Sequence, residues 1–482
     1  MPRRSSPRTR VFTPLTLLFA LLFGVVNAAM WFQRQSTDDW ASLWIAGEMV
    51  VRGDTHLLYD IWEKDFSRWT ERVWVSYIED NDNYTFPHPF VHIPLVAWFT
   101  SILTRIMSYG TAEVILTFAQ GFCLVVLVAS SYTLWFKKPM RLPYLAAATL
   151  LLWLTAAFQL SSNIGQTTPL ILAAIAYGLA MAAHRPRISG IVLGIAAAIK
   201  LTPLSLILPL GMFRSTRRTA FITALTAAIM VGLSFFLGGA AVFQEWMHTL
   251  GWLNSRGIVD KVNQSFVSVF LEPSVDRTVQ LGKRTEDLFV PIVEDIPTWI
   301  AVIPRVVTVL GLIGVCWAAL RNRARAFEIL SVGGFTVATL TASILWTHYL
   351  IIVALPIMGT LAFTPRHRAK YVYPALALFT ALLLPPLAQE SPFYVQWLGL
   401  VSLTLHLILF LLVVGAPRTS RQAAEHTTPL RSHSRFRPRR GGKPRLSRRR
   451  RSQGDRSTYD TALSPDPGTI AADQHQLERI VP

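Results

Sequence analysis

STDDWASLWIAGEMVVRGDTHLLYD, residues 36–60, follows the first long apolar run of the chain, and its reading governs everything after it. Two adjacent carboxylates, Asp38 and Asp39, stand where a membrane helix emerges into water. Behind them Trp40, Leu43, Trp44 and Gly47 recur at near-helical spacing, and Gly53-Asp54 marks a turn. An acid held beside a bilayer and backed by an amphipathic segment suits proton abstraction from a membrane-anchored molecule. The alternative is that the two acids merely stop one helix and cap the next.

Outward from this stretch, composition sets the class. Of 482 residues, 52% are hydrophobic and 15% charged, and the mean hydropathy is +0.39. Those values describe a polytopic membrane protein of all-α class. The net charge of +18 does not signal nucleic acid. About half of it lies in the last stretch of chain, and the rest in short loops between apolar runs, where positive-inside topology puts it. Cys123 and Cys316 lie inside apolar segments, as inert packing residues do.

The basic start MPRRSSPRTR before VFTPLTLLFALLFGVVNAAMWF resembles a secretion signal with Asn27-Ala28-Ala29 as a cleavage site. It is read as a retained first helix, because the run approaches the ~20 residues that span a bilayer and later spans need an orienting anchor. The N-terminus is then cytoplasmic, and Asp38 and Asp39 lie outside. Further apolar segments run over 90–107, 112–136, 142–160, 167–184, 188–213, 218–242, 298–320, 327–346, 349–363, 371–389 and 396–416, about twelve in all.

Loops 32–89 and 243–297 are expected on the exoplasmic face. The first is rich in residues suited to the interface (Trp62, Trp69, Trp74, Tyr77, Asp80, Asp82). The chain thus divides into a cytoplasmic N-terminus (1–11), a membrane domain (12–416) and an Arg-rich tail (417–482). The tail cannot bury a core and is expected to be disordered, cytoplasmic and drawn to anionic lipid headgroups. Charge sets Arg321–Arg325, Pro365–Lys370 and the tail inside, with His348 and Glu390 outside. Twelve plain crossings would leave Lys137–Arg141 and Arg185–Arg187 outside, against the positive-inside tendency. Breaks at Pro89/Pro94 and Lys200–Pro203 restore both loops to the cytoplasm.

Four constellations carry chemistry: Asp38/Asp39; FPHPF (86–90) with His88 and, just beyond, His92; NIGQTTP (163–169) followed by GIAAAIKLTPL with Lys200; and ILWTHYLIIVALP with His348. An ammonium inside an apolar run costs about 2.5–3.5 kcal/mol on insertion, so Lys200 is a functional candidate unless it snorkels at the end Pro203 provides. Arg305 lies a third of the way into a span, at headgroup depth for a phosphate or for ordinary snorkelling. Asn263-Gln264-Ser265 also reads as a polar turn. No Gly-rich phosphate loop, Ser-His-Asp order or metal-ligand spacing occurs, so no metal or other cofactor is expected.

Taken in order, Asp38-Asp39-Trp40 with Leu43-Trp44 and Ala46-Gly47, then TFPHPF, GQTTPL, GIAAAIKLTPL, Asn263-Gln264-Ser265 and WTHYL resemble glycosyltransferase family 87 over about residues 12–416. That actinobacterial family of the GT-C superfamily uses polyprenol-phosphate donors and includes α-1,2-mannosyltransferases and an α-1,3-arabinofuranosyltransferase. The resemblance implies a GT-C-like bundle with two exoplasmic loops in the plasma membrane. It implies transfer of mannose or arabinofuranose from polyprenyl phosphate to an envelope glycolipid or polysaccharide. It matches Asp39, with Asp38 as near alternative, to the catalytic acid, His348 to a late exoplasmic His and Lys200 to a Lys-x-x-Pro. Lys200 and Arg305 are then candidates for the donor phosphate, and His88, Gln166, Asn263 and Gln264 for substrate contacts. The family has Tyr-Pro-Pro where this chain has Phe86-Pro87-His88-Pro89. A lipid-linked sugar transporter, the rival reading, would show repeats between its halves, and the acid-bearing loop has no counterpart.

Overall fold

The computed structural model describes residues 10–32, 38–59, 61, 66, 77, 88–274, 290–385 and 392–416. They belong to one compact unit, Met1–Arg418, and the remainder, Thr419–Pro482, lies outside the described residues. So do Trp62, Trp69, Trp74, Asp80, Asp82, Phe86, Pro87 and Glu390.

Helix starts follow local chemistry. Helix α1 (Pro14–Met30) begins at Thr13, whose hydroxyl accepts from the Thr16 N–H at 3.1 Å, with Pro14 in the first turn. Then come α2 (Asp38–Arg52), α3 (Pro94–Ile106) behind extended Ile93, and α4 (Tyr109–Phe136), capped by Ser108. Helix α1 lies close against α4: a Cβ at Gly121 would meet the Asn27 side chain at 2.6 Å. Small residues permit such approach between membrane helices, and Asn27 adds a bond to the Thr117 carbonyl at 2.8 Å.

Breaks shape the middle of the chain. Helices α5 (Leu142–Trp153) and α6 (Ala156–Asn163) meet at 70°. Thr155 is extended there and caps α6. The freed backbone groups are satisfied: Thr155 donates to the Leu152 carbonyl at 2.6 Å, Gln159 to that of Trp153 at 2.5 Å, and the Ala156 N–H to that of Leu383 at 2.6 Å. Sequence reading had one straight segment at 142–160.

Helices α7 (Thr168–Met181) and α8 (Pro186–Ile199) follow. Helix α8 ends at extended Lys200, and a 3-10 turn (Thr202–Leu206) leads into α9 (Ile207–Met212). The break expected at Lys200–Pro203 is therefore present.

Helix α10 (Arg217–Ser255) changes direction at Gly239, where φ is 74°. It continues to Ser255 because Phe243, Trp246 and Leu250 pack with Ile93 and Ala198, so the second loop starts after 255 rather than at 243. That loop holds the antiparallel pair β1 (Gly257–Ile258) and β2 (Ile292–Val293) and the short helix α11 (Phe266–Leu271). Helices α12 (Thr298–Arg321), α13 (Ala326–Leu340), α14 (Ala354–Phe363), α15 (Ala369–Ala381) and α16 (Pro392–Gly415) complete the bundle.

By length and composition α4, α10, α12 and the Trp397–Gly415 part of α16 can cross a bilayer, and the bent α5–α6 pair makes a fifth. The other apolar segments are shorter helices or broken pairs, so these elements show an all-α membrane bundle and not a count of twelve crossings. Apolar side chains such as Leu18, Phe221, Phe236 and Leu310 cover its outside, as a lipid-facing surface requires.

Helix α2 differs from its expected interfacial placement. Trp40 through Gly47 are buried, and a Cβ at Gly47 would meet the Thr100 backbone at 2.7 Å. The segment is core, pressed backbone to backbone against α3. At another end of the bundle Glu328, at the start of α13, is buried and receives Lys137 at 2.5 Å and Arg325 at 3.2 Å.

Candidate active site

The loop between α6 and α7 is bound to the start of α2. Ile164 accepts the N–H groups of Asp39 (3.0 Å) and Trp40 (3.3 Å). Gly165 takes φ +71°, and a Cβ there would meet the Trp40 Cβ at 2.6 Å. Only glycine fits a left-handed residue at such an approach. Gln166 is fixed next: its N–H donates to the Ser161 carbonyl at 2.9 Å, and its own carbonyl accepts from the Gln120 side chain at 2.7 Å. The Gln166 amide then donates to Asp39 Oδ2. His88 Nε2 faces Asp39 Oδ1 at 4.0 Å, and the Ser42 hydroxyl donates to the His88 carbonyl, holding that strand of chain against α2.

Lys200 reaches the same place from the α8 break. Its Nζ donates to Thr168 Oγ1 at 2.8 Å and Gln166 Oε1 at 3.4 Å, and lies 4.1 Å from the centroid of the Tyr349 ring. His348 is 2% exposed, and among the described residues neither of its ring nitrogens has a hydrogen-bond partner. Its segment is held by the second loop: the Thr347 N–H donates to Val262 O at 2.8 Å and the Gln264 N–H to Leu345 O at 2.6 Å.

These groups line a cavity of about 100 Å³ together with Phe66, His92, Asp260 and Trp346. Behind it an apolar groove of Ile171, Leu172, Ile175, Phe335 and Ile352 shares Lys200 and Tyr349 as walls. An acid, an amide, a lysine and a buried histidine thus converge where polar and apolar spaces meet.

Of the residues expected from sequence, Asp39, His88, Gln166, Lys200 and His348 line this cavity. Asn263 and Gln264 stand behind its wall. Asn263 accepts the N–H groups of Leu345 (3.0 Å) and Ser265 (3.2 Å), and Gln264 donates to the Thr347 hydroxyl at 2.8 Å. They build the wall rather than face the space. Asp38 is not in the lining, and Arg305 is exposed on α12, apart from it. Tyr349, Thr168, Asp260 and Gln120 escaped the sequence reading. Gln120 carried a signal, the lone amide side chain in a long, mainly apolar helix. Among the described residues no three His, Cys, Asp or Glu side chains converge as a metal site needs.

Residues 90–343, more than half of the chain, match glycosyltransferase family 87. The match includes His88's neighbours, Gln166, Lys200 and the second loop, while Asp39 precedes it and His348 lies just past its end. No curated protein matches the chain.

Proposed function

We propose that this chain, which belongs to glycosyltransferase family 87 and is a membrane glycosyltransferase, moves a sugar from a polyprenyl-phosphate donor to an envelope glycolipid or polysaccharide. The proposed sugar is mannose, in α-1,2 linkage, with arabinofuranose as the second candidate. The site is placed on the exoplasmic face of the plasma membrane, with both termini cytoplasmic and about twelve segments in the bundle.

One observation carries the reading. Lys200 and Tyr349 are common walls of the cavity that holds the Asp39 carboxylate and of the apolar groove behind it. A donor that is sugar at one end and isoprenoid at the other, with phosphate between, has that same order of chemistry.

In this mechanism Asp39 is the general base. Its Oδ2 is held by Gln166, so Oδ1 is the oxygen that takes the proton from an acceptor hydroxyl. The acceptor oxygen forms its bond to the anomeric carbon as the bond from that carbon to the phosphate oxygen breaks. The electron pair leaves with polyprenyl phosphate, whose charge Lys200 and His348 meet. A single in-line displacement inverts the anomeric centre.

The test is transfer by purified full-length protein from decaprenyl-phosphate mannose and decaprenyl-phosphate arabinofuranose, read by mass spectrometry. Asp39→Asn abolishes transfer with either active donor while lipid-phosphate binding persists. Wild-type turnover in Asp39→Asn overturns the assignment of the base. Binding and translocation of donor without any transfer points instead to a lipid-linked sugar transporter.

A further inference from the structure

Gln166 was expected to touch substrate, but both ends of its side chain are already engaged. Its Nε2 donates to Asp39 Oδ2 and its Oε1 accepts from Lys200 Nζ at 3.4 Å and from the Thr168 hydroxyl at 3.3 Å. The orientation of this amide is dictated by its neighbours: a carboxylate only accepts and a lysine ammonium only donates, so nitrogen must face Asp39 and oxygen must face Lys200. The backbone of Gln166 is equally constrained, through Ser161, Gln120 and the left-handed Gly165. Few side chains in the cavity have less freedom to greet a ligand.

The contacts of Lys200 are graded. Thr168 is close at 2.8 Å, Gln166 is the longer of the two hydrogen bonds at 3.4 Å, and the Tyr349 ring centroid lies at 4.1 Å. An ammonium has three donors. A phosphate oxygen arriving at Lys200 therefore displaces the longer of its two hydrogen bonds, that to Gln166. The amide keeps Thr168, whose hydroxyl donates to Gln166 and accepts from Lys200. Its nitrogen keeps Asp39 Oδ2, so Oδ1 stays free for the acceptor while phosphate takes the place of the amide oxygen on Lys200.

We propose that Gln166 is a positioning residue whose amide links the donor-phosphate site at Lys200 to the base Asp39, holding Oδ2 so that Oδ1 is presented to the acceptor when donor is in place. This rests on the reading of Asp39 and Lys200 given above. Other charged or titratable groups also face Asp39, namely His88 at 4.0 Å and His92, Asp260, His348 and Tyr349 around the same cavity. Gln166 hydrogen-bonds both Asp39 and Lys200 directly.

Two variants of the full-length protein separate the two ends of the amide. Gln166→Glu keeps an acceptor for Lys200 but presents oxygen to Asp39. Its kcat falls at least tenfold with donor KM within twofold. Gln166→Met removes both bonds at similar size, so kcat falls and donor KM rises at least threefold. Acceptor KM stays within twofold in both. Rates are normalised to the fraction of protein that binds decaprenyl phosphate, which removes the effect of misfolded material and leaves Gln166→Met as the readout where Gln166→Glu folds poorly. A rise in acceptor KM with kcat retained makes Gln166 a substrate contact and overturns the proposal, as does kcat within twofold of wild type in both variants. Asp39→Asn is run in parallel. If it turns over normally the base assignment falls, whereas an inactive Asp39→Asn beside fully active Gln166 variants overturns the link alone.

Discussion

At the scale of single residues, Lys200 and His348 both line the cavity, and both are proposed to serve the donor phosphate. Lys200→Met and His348→Ala are each expected to weaken donor use at least tenfold, about 1.4 kcal/mol of transition-state stabilisation, with acceptor KM little changed. Steady-state kinetics with donor and acceptor varied separately checks this. Lys200 stood out in the sequence for a physical reason, since a charge within an apolar run is expensive unless it has work, whereas Asp39 came from its place after the first span and Gln166 and His348 from the order of motifs. The same reasoning picked Arg305, yet that side chain is exposed on α12. Its reach is what sequence leaves open, since a long stem carries the charge outward as easily as inward. Gln120 was passed over although it obeys the rule, and its target is the backbone of a loop 41 to 46 residues away.

At the scale of elements, the site depends on two joints. The first is the α6–α7 loop against α2. Gly165→Ala puts a side chain at φ +71° and 2.6 Å from the Trp40 Cβ. The backbone term alone is about 1–2 kcal/mol, so melting temperature falls, and kcat falls further because Asp39 and Gln166 lose their registration. The second joint is Asn263, whose Oδ1 receives the Leu345 and Ser265 N–H groups. Asn263→Ala leaves both donors buried without that acceptor and is expected to lower stability by roughly 1–3 kcal/mol, read by thermal unfolding, with donor KM raised through His348. The elements themselves were largely foreseeable. Proline and Lys200 announced the break after α8, whereas Thr155 gave no warning of the 70° bend after α5, because a threonine in an apolar run caps a helix only where neighbours such as Leu383 accept the turned chain. Helix α2 read as amphipathic, but small residues on its far side let α3 cover it.

At the scale of the whole molecule, one ion-pair cluster constrains how the chain crosses the bilayer. Lys137 and Arg325 both bond Glu328, so the loop after α4 and the loop before α13 lie on one side of the membrane. The positive-inside tendency predicts that this side is cytoplasmic, which is the arrangement the broken-segment topology requires. A cysteine at Pro139, in a background lacking Cys123 and Cys316, should react with impermeant maleimide only when the cytoplasmic face is accessible. Labelling solely from the opposite face would refute that arrangement. The same cluster bears on biogenesis. Glu328 is synthesised 191 residues after Lys137, so during translation the lysine waits at the bilayer surface and the acid arrives to a partner already installed. The first half of the polypeptide thus offers an anchor point to the second, and the two halves expressed as separate chains should reassemble less efficiently when Lys137 is replaced by Ala.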